Sequence, residues 1–148
     1  VHGDGTSLWV LTHHTDFAKG LVGLLGNPKA IAEDFHITSD ELLSWDQINY
    51  IMADALGVKP KLVHIASDAI ATYDKEMGDS LVGDKAFSKI FDNSKIKNIV
   101  PEFVCTTPFT KGAQEIVQWY DDPNNQIIDE RINKLFDEMI LKYGNYAL

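Results

Sequence analysis

The chain has 148 residues, of which 45% are hydrophobic and 24% charged, a composition typical of one globular domain rather than a disordered segment. A formal net charge of −9 disfavours nucleic acids and acidic membrane surfaces as partners, because both repel a negative protein. Arg131 is the only arginine, so the chain lacks the clustered guanidinium groups that usually bind a diphosphate.

The sequence carries no pattern typical of a membrane segment or a secretory leader. No apolar run approaches the ~20 residues that span a bilayer, and no basic stretch precedes an apolar one. Cys105 is the only cysteine, which excludes an internal disulfide and favours a reducing compartment. We therefore expect a cytoplasmic protein with no membrane partner.

The first third of the chain alternates β-prone and helical patterns. Apolar and β-branched residues predict a strand over 8–12, and an apolar stripe at helical spacing predicts a helix over 15–25. Thr15 caps the start of this helix and Gly26 ends it. A second short strand is predicted over 35–38.

The middle third repeats this alternation. Residues 44–47 read Ser-Trp-Asp-Gln, a capping box that opens a helix closed by Gly57. A strand is predicted over 62–65. A short helix over 67–76, capped by Ser67 and terminated by Gly78, follows it.

The last third is mostly helical. A strand is predicted over 87–91 and a helical turn over 94–99, followed by a helix that begins at Thr107-Pro108 and a final helix over 126–143. The whole pattern indicates a mixed α/β, helix-rich fold with short strands and about five helices. These strands are too few and too scattered to form a complete sheet, so we expect them to belong to a sheet whose other strands lie elsewhere.

The order of several segments is similar to one enzyme family. Gly3-Asp4-Gly5-Thr6, a strand, and then His13-His14-Thr15-Asp16 opening a helix resemble the "GDG…strand…V-D-D" passage of extended short-chain dehydrogenases/reductases. Further matching segments are residues 35–39, the helix ending at 55–57, residues 91–95, and the helix from 107–112 to Trp119-Tyr120. Together these ordered segments cover most of the chain.

The resemblance implies a fold, and it implies that substrate and cofactor are bound by different parts of the parent protein. Residues 1–148 resemble the single C-terminal, substrate-binding portion of an NAD(P)-binding Rossmann-fold protein of the NAD-dependent epimerase/dehydratase family. The N-terminal dinucleotide-binding domain would precede this chain and would bind NAD or NADP in the full-length parent, so this chain alone should bind neither. The family's catalytic Y-x-x-x-K motif does not occur here, and no catalytic residue is expected on this chain.

Two functions follow from the resemblance and stay open. The parent would be an epimerase, dehydratase or reductase acting on a sugar-like or small carbonyl/hydroxyl substrate. Alternatively, it would be a non-catalytic family member that binds RNA or serves as a scaffold, because residues 62–69 loosely resemble the chloroplast stem-loop RNA-binding branch. The net charge of −9 argues against RNA contact by this chain.

The glycines at 20, 23 and 26 spell G-x-x-G-x-x-G, the spacing of a dinucleotide fingerprint. A functional fingerprint follows a buried strand and opens a helix, so that backbone N–H groups face the pyrophosphate. Residues 15–19, which precede this motif, form instead a capped helical turn. We therefore interpret the glycines as small residues where a helix packs closely, and expect no cofactor-binding residue here.

Seven residues are candidate substrate contacts: Trp9, His13, His14, Thr38, Ser39, Lys89 and Asp92. The resemblance puts Trp9 where many members that bind nucleotide sugars have an arginine, which argues against such a substrate. The two histidines and the Thr-Ser pair lie at strand ends, where ligands gather in open α/β sheets. Adjacent strand residues point to opposite faces, so the histidines are not expected to share a metal.

The expected partners are the missing N-terminal Rossmann lobe of the parent and a small-molecule substrate. Helices that should pack on the missing lobe would leave apolar surface exposed. We therefore also expect the isolated chain to self-associate through that surface.

Overall fold

A computed structural model describes residues Val1–Gly144, and the four residues after Gly144 lie outside the described part. The described part is mixed α/β and helix-rich, as predicted. Its helices are α1 His14–Leu24, α2 Trp45–Ala55, α3 Ser67–Ala71, α4 Lys75–Ser80, α5 Ser94–Ile99, α6 Phe109–Tyr120 and α7 Glu130–Tyr143. Its strands are β1 Leu8–Val10 and β2 Leu42–Ser44, and single helical turns cover Pro28–Ala30, Leu81–Lys85 and Pro123–Asn125.

The sheet is one antiparallel pair, in which Trp9 of β1 faces Leu43 of β2. A separate parallel bridge joins His2 to Ile65, where the Gly3 N–H donates to the Ile65 carbonyl over 2.8 Å. Within Val1–Gly144 these pairings do not form a Rossmann sheet.

Three predicted strands were wrong. Residues 35–38 and 87–91 lie outside any strand, and 62–65 contributes only the bridge at Ile65. The β-prone residues are present, but a strand exists only when a neighbouring backbone completes its hydrogen bonds. Within the described part, residues 87–91 make one backbone–backbone hydrogen bond to a strand, in which the Lys89 N–H donates to the Leu8 carbonyl over 2.8 Å.

The helix signals were more reliable than the strand signals. Ser44 forms the predicted capping box with Gln47, and Gly57 follows α2 with a φ of +69°, a conformation that favours glycine. His13, rather than Thr15, caps α1, and Pro108 caps α6 rather than occupying its first helical position. The final helix begins at Glu130, later than predicted.

The predicted helix over 67–76 is divided into α3 and α4, and Gly78 lies inside α4 instead of ending it. A Cβ at Gly78 would come within 2.3 Å of the Ala71 Cβ. The glycine therefore permits the close packing of α4 against α3 rather than a helix stop.

Two separate clusters form the core. The first, which we call the cleft-side cluster, buries Ile96 of α5 with Val100 and Phe103, and Leu24 of α1 packs against them. The second, the C-terminal cluster, buries Ile65, Ile70, Leu81 and Met139, so that α7 covers α3 and α4. None of the described helices is both long and apolar enough to cross a membrane.

Candidate functional site

A cleft of about 590 Å³ lies between the N-terminal end of α1 and one face of α6. It is lined by Leu11, Thr12, His13, His14, Thr107, Pro108, Phe109, Gly112, Glu115, Ile116, Trp119 and Tyr120. This volume falls within the range of small-molecule sites, which are mostly apolar with a few fixed polar groups. The cleft is therefore the candidate functional site.

His13 is held in place because it is the N-cap residue of α1. Its Nδ1 accepts from the Thr15 backbone N–H as the helix N-cap, and it lies 2.7 Å from the Thr15 hydroxyl. With Nδ1 accepting, the ring N–H is assigned to Nε2, which lies 2.8 Å from Oε2 of Glu115. The His13 side chain is only 12% exposed, so the helix cap and Glu115 together fix one ring orientation at the cleft wall.

Glu115 is the acidic group of the cleft. The hydrogen bond from His13 lowers the pKa of Glu115 below its ordinary value, so the carboxylate stays ionised at neutral pH. Its Oε1 atom lies 4.0 Å from the Lys111 ammonium nitrogen, one helical turn earlier. The side chain is 42% exposed, which leaves the carboxylate accessible to a ligand.

A buried carboxylate fixes the loop that forms another part of the cleft wall. Asp16 is fully buried and accepts from the backbone N–H groups of Thr106 and Thr107 at 3.1 and 2.8 Å. The Lys19 ammonium donates to the same carboxylate over 2.6 Å. Burial raises the pKa of Asp16, but these hydrogen bonds outweigh it and hold the pKa well below its usual range.

The opposite wall is apolar and open to solvent. Trp119 is 55% exposed and Tyr120 is 49% exposed, and their rings meet edge to face with centroids 4.7 Å apart. Phe109 and Ile116 continue this surface along the same face of α6. Exposed aromatic rings beside a fixed His–Glu pair give a surface that can stack on a ring and hydrogen-bond its edge.

The seven predicted contacts divide among several places. Only His13 and His14 line the cleft, and their ring centroids lie 4.3 Å apart with the ring planes tilted by 39°. The expectation that their side chains point to opposite faces was therefore wrong, because His13 and His14 lie at a helix start and not within a strand.

Trp9 and Lys89 lie outside the cleft. The Trp9 ring packs against Trp45 with centroids 5.5 Å apart, and Lys89 pairs with Asp84 at 2.9 Å. These contacts give both residues a structural role in this part of the chain.

Thr38, Ser39 and Asp92 form a third group. The Ser39 N–H donates to Thr12 over 2.9 Å, and Ser39 lines a smaller cavity of about 200 Å³ together with Cys105. The Thr38 carbonyl accepts from Asn93, and Asp92 accepts from the Ser94 N–H at the start of α5. Ser39 is thus adjacent to the cleft through Thr12, whereas Asp92 serves as a local turn residue.

Sequence reasoning missed Glu115 and the aromatic wall. Glu115 is 102 positions from His13, so no local spacing indicates the pair. The helical spacing of Phe109, Ile116 and Tyr120 is typical of a buried face, so the sequence predicts a core stripe there. Their exposure was the missing information, and only the packing of α6 against α2 defines which side of α6 stays open.

The glycine motif lacks the structural context of a dinucleotide fingerprint. Gly20 and Gly23 lie within α1, where an added Cβ would meet Ile37 at 2.5 Å and Val100 at 2.3 Å. This confirms the interpretation of these glycines as close-packing residues, and their backbone amides are occupied within the helix. Within Val1–Gly144 no group of three His, Cys, Asp or Glu side chains is placed to hold a metal.

Comparison with known proteins gives no relative to support or oppose the family resemblance. No protein-family profile, no curated protein and no solved structure matches the chain. The resemblance therefore rests on the ordered sequence segments alone.

Proposed function

We propose that this chain is the substrate-binding portion of an NAD(P)-dependent epimerase/dehydratase or reductase that acts on a sugar-like or small carbonyl/hydroxyl substrate. The cofactor would be held by a preceding Rossmann lobe, and it would supply the hydride chemistry. The residues of this chain would bind and orient the substrate in the cleft. The observation that carries the proposal is that residues 35–38 pack like a strand but have no partner strand among the described residues.

This segment has the packing of a strand without a partner strand among the described residues. Phe35 and Ile37 pack against the cleft-side cluster, whereas His36 between them is exposed. Alternate side chains on opposite sides are the pattern of an extended strand. No backbone–backbone hydrogen bond within Val1–Gly144 pairs residues 35–38.

An α/β sheet normally has helices on both faces and strands on both sides of each central strand. Here α1 and α5 cover one side of residues 35–38 through the cleft-side cluster. The Thr38 carbonyl accepts from the Asn93 side chain, but no backbone hydrogen bond among the described residues pairs this segment, which supports a second lobe that would supply a neighbouring strand. This is the arrangement that the family resemblance implies for a substrate-binding portion.

Calorimetry with NAD and NADP tests the proposal on two proteins, this chain and a longer chain that includes the preceding lobe. We expect binding by the longer chain only, because Gly20 and Gly23 of the glycine motif lie inside α1 and not at the start of a helix that faces a pyrophosphate. Tight binding of either dinucleotide by this chain alone would contradict the proposal, as would a longer chain that binds neither.

The RNA-binding alternative is tested by filter binding with structured RNA at several salt concentrations. The net charge of −9 predicts no measurable retention. Salt-sensitive retention by this chain would favour the alternative over the substrate-binding role.

A further inference from the structure

We propose that the cleft binds an uncharged, hydroxylated ring, such as a sugar unit without a phosphate group. The role of this ring as a substrate rests on the proposed function, but the chemistry of recognition rests on the cleft alone. Three features of the cleft carry the inference: the charge of its lining, its exposed aromatic wall and its set of hydroxyl-binding groups.

The lining carries a negative charge and no fixed positive one. Glu115 is its only carboxylate, and the lining set contains neither lysine nor arginine. The Lys111 ammonium lies 4.0 Å from Glu115 and outside the lining. A phosphate in this cleft would face the Glu115 carboxylate with no lysine or arginine among the lining residues, so the cleft disfavours phosphorylated ligands.

The aromatic wall suits the apolar face of a ring. Trp119 and Tyr120 are each about half exposed and lie edge to face, so the two rings present two differently oriented surfaces. The C–H face of a pyranose packs on such a surface by dispersion and by burial of apolar area. Phe109 and Ile116 extend the apolar surface along α6.

The polar groups of the cleft are suited to hydroxyls. Glu115 accepts from His13 with Oε2, and a carboxylate retains further acceptor sites for a ligand O–H. The Thr12 hydroxyl accepts from the Ser39 N–H, so its own proton can be donated. Thr107 lines the same cleft and is held by the bond from its N–H to Asp16. Neutral hydroxyls thus find acceptors and donors in fixed positions.

Tryptophan fluorescence tests the inference by titration of the protein with methyl glycosides, the corresponding sugar phosphates and simple alkylamines. We expect saturable changes with at least one methyl glycoside and at least about tenfold weaker binding of the matching sugar phosphate. A preference for the sugar phosphate or the amine would overturn the inference, and so would the absence of any glycoside response across the panel.

Variants identify the cleft as the site of binding. Trp119→Ala should weaken glycoside binding by about tenfold, and Trp119→Phe by less, because Phe keeps a stacking surface. Glu115→Gln should also weaken binding, whereas the exposed control Glu102→Gln should not. NMR line broadening of the glycoside gives a readout independent of the altered tryptophan signal. Unchanged affinity in both Trp119→Ala and Glu115→Gln would overturn the inference.

These results are separable from the cofactor test. If the glycoside binds in the cleft but the longer chain binds neither NAD nor NADP, the proposed function fails and the recognition chemistry stands. If the longer chain binds the cofactor but the cleft prefers phosphorylated sugars, the recognition chemistry fails and the proposed function stands.

Discussion

The cleft-side cluster and the C-terminal cluster are both apolar, but they differ in the polar contacts beside them. Beside the first, a fully buried carboxylate, Asp16, ties α1 to the loop over 106–107 through a lysine and two backbone N–H groups. Within the second, α7 packs apolar side chains on α3 and α4, with Met139 almost fully buried among them. Directional polar bonds thus position the cleft wall, while α7 is held on α3 and α4 by apolar burial together with the Arg131–Asp74 ion pair at 2.8 Å.

This difference indicates that the cleft wall, more than the C-terminal cluster, needs a defined geometry. A hydrogen-bonded carboxylate accepts partners only in set directions, so it can hold the loop residue Thr107 in the cleft wall. Apolar burial contributes stability with less demand on orientation. Changes in the two regions should therefore separate loss of stability from loss of the cleft.

The largest effect is expected from Asp16→Ala. It removes the acceptor of two backbone N–H groups and the Lys19 ion pair, while the Lys19 ammonium keeps the Val104 carbonyl and the Thr106 hydroxyl. Hydrogen bonds to a charged group contribute about 1.5–3 kcal/mol each, so the loss should be about 3–5 kcal/mol. Urea unfolding measures the loss. The exposed acid Asp137, changed to Ala, serves as the control and should lie within about 0.5 kcal/mol of the parent. A loss below about 1 kcal/mol for Asp16→Ala would contradict the polar account of this region.

Met139→Ala tests the apolar region. Met139 is 3% exposed and packs among Ile65, Ile70 and Leu81, so truncation should cost about 3 kcal/mol from lost burial and a residual cavity. Leu141→Ala, on the same helix but 84% exposed, should cost less than about 0.5 kcal/mol. While it remains folded, Met139→Ala should keep the ligand response of the cleft. Equal losses for the two variants would show that α7 is not docked as described.

A smaller effect is expected from Gly20→Ala, which tests the close packing of α1. The new Cβ would lie 2.5 Å from the Ile37 Cγ2, and overpacking should outweigh the helix preference of alanine and cost about 1–2 kcal/mol. Gly83→Ala is the matched control, because a Cβ there meets nothing within 4 Å. Thermal unfolding of both variants measures the difference, and a stabilised Gly20→Ala protein would be inconsistent with this packing.

The smallest effect is the pH dependence contributed by Asp16. Its folded-state pKa is depressed, so its stabilisation is present above the unfolded-state pKa, near 4, and is lost as pH falls further. Between pH 7 and pH 4 the stability difference between the parent and Asp16→Asn should shrink by only a few tenths of a kcal/mol, and it should fall steadily below pH 4. Urea unfolding across pH measures it. A difference that grows on acidification would reverse the assigned sign.

Much of the helical framework could be predicted from the sequence, because the signals are local. The Ser44–Gln47 capping box and the apolar stripes of α1, α6 and α7 each lie within a few turns of one helix. The predicted strands over 35–38 and 87–91 failed for the opposite reason. Strand propensity describes a residue's fit to a sheet, and the partner that completes the sheet is decided by the rest of the fold.

The candidate site was only half predicted. His13 and His14 were identified from their place between a strand and a helix, and both line the cleft. Glu115 was missed, because a pair 102 residues apart leaves no mark in local spacing. Trp9 and Lys89 were drawn from the resemblance, and the structure gives them packing and ion-pair partners outside the cleft.

The amino-acid sequence alone determined most of the helices, the acidic charge and the Ser44–Gln47 capping box, since hydrophobic periodicity and cap chemistry act over a few neighbouring residues. Only the tertiary structure decided that α6 leaves Trp119 exposed, that Asp16 is fully buried, and that His13 meets Glu115. Burial and long-range hydrogen bonds depend on which segments the chain brings together, and no single segment contains that information.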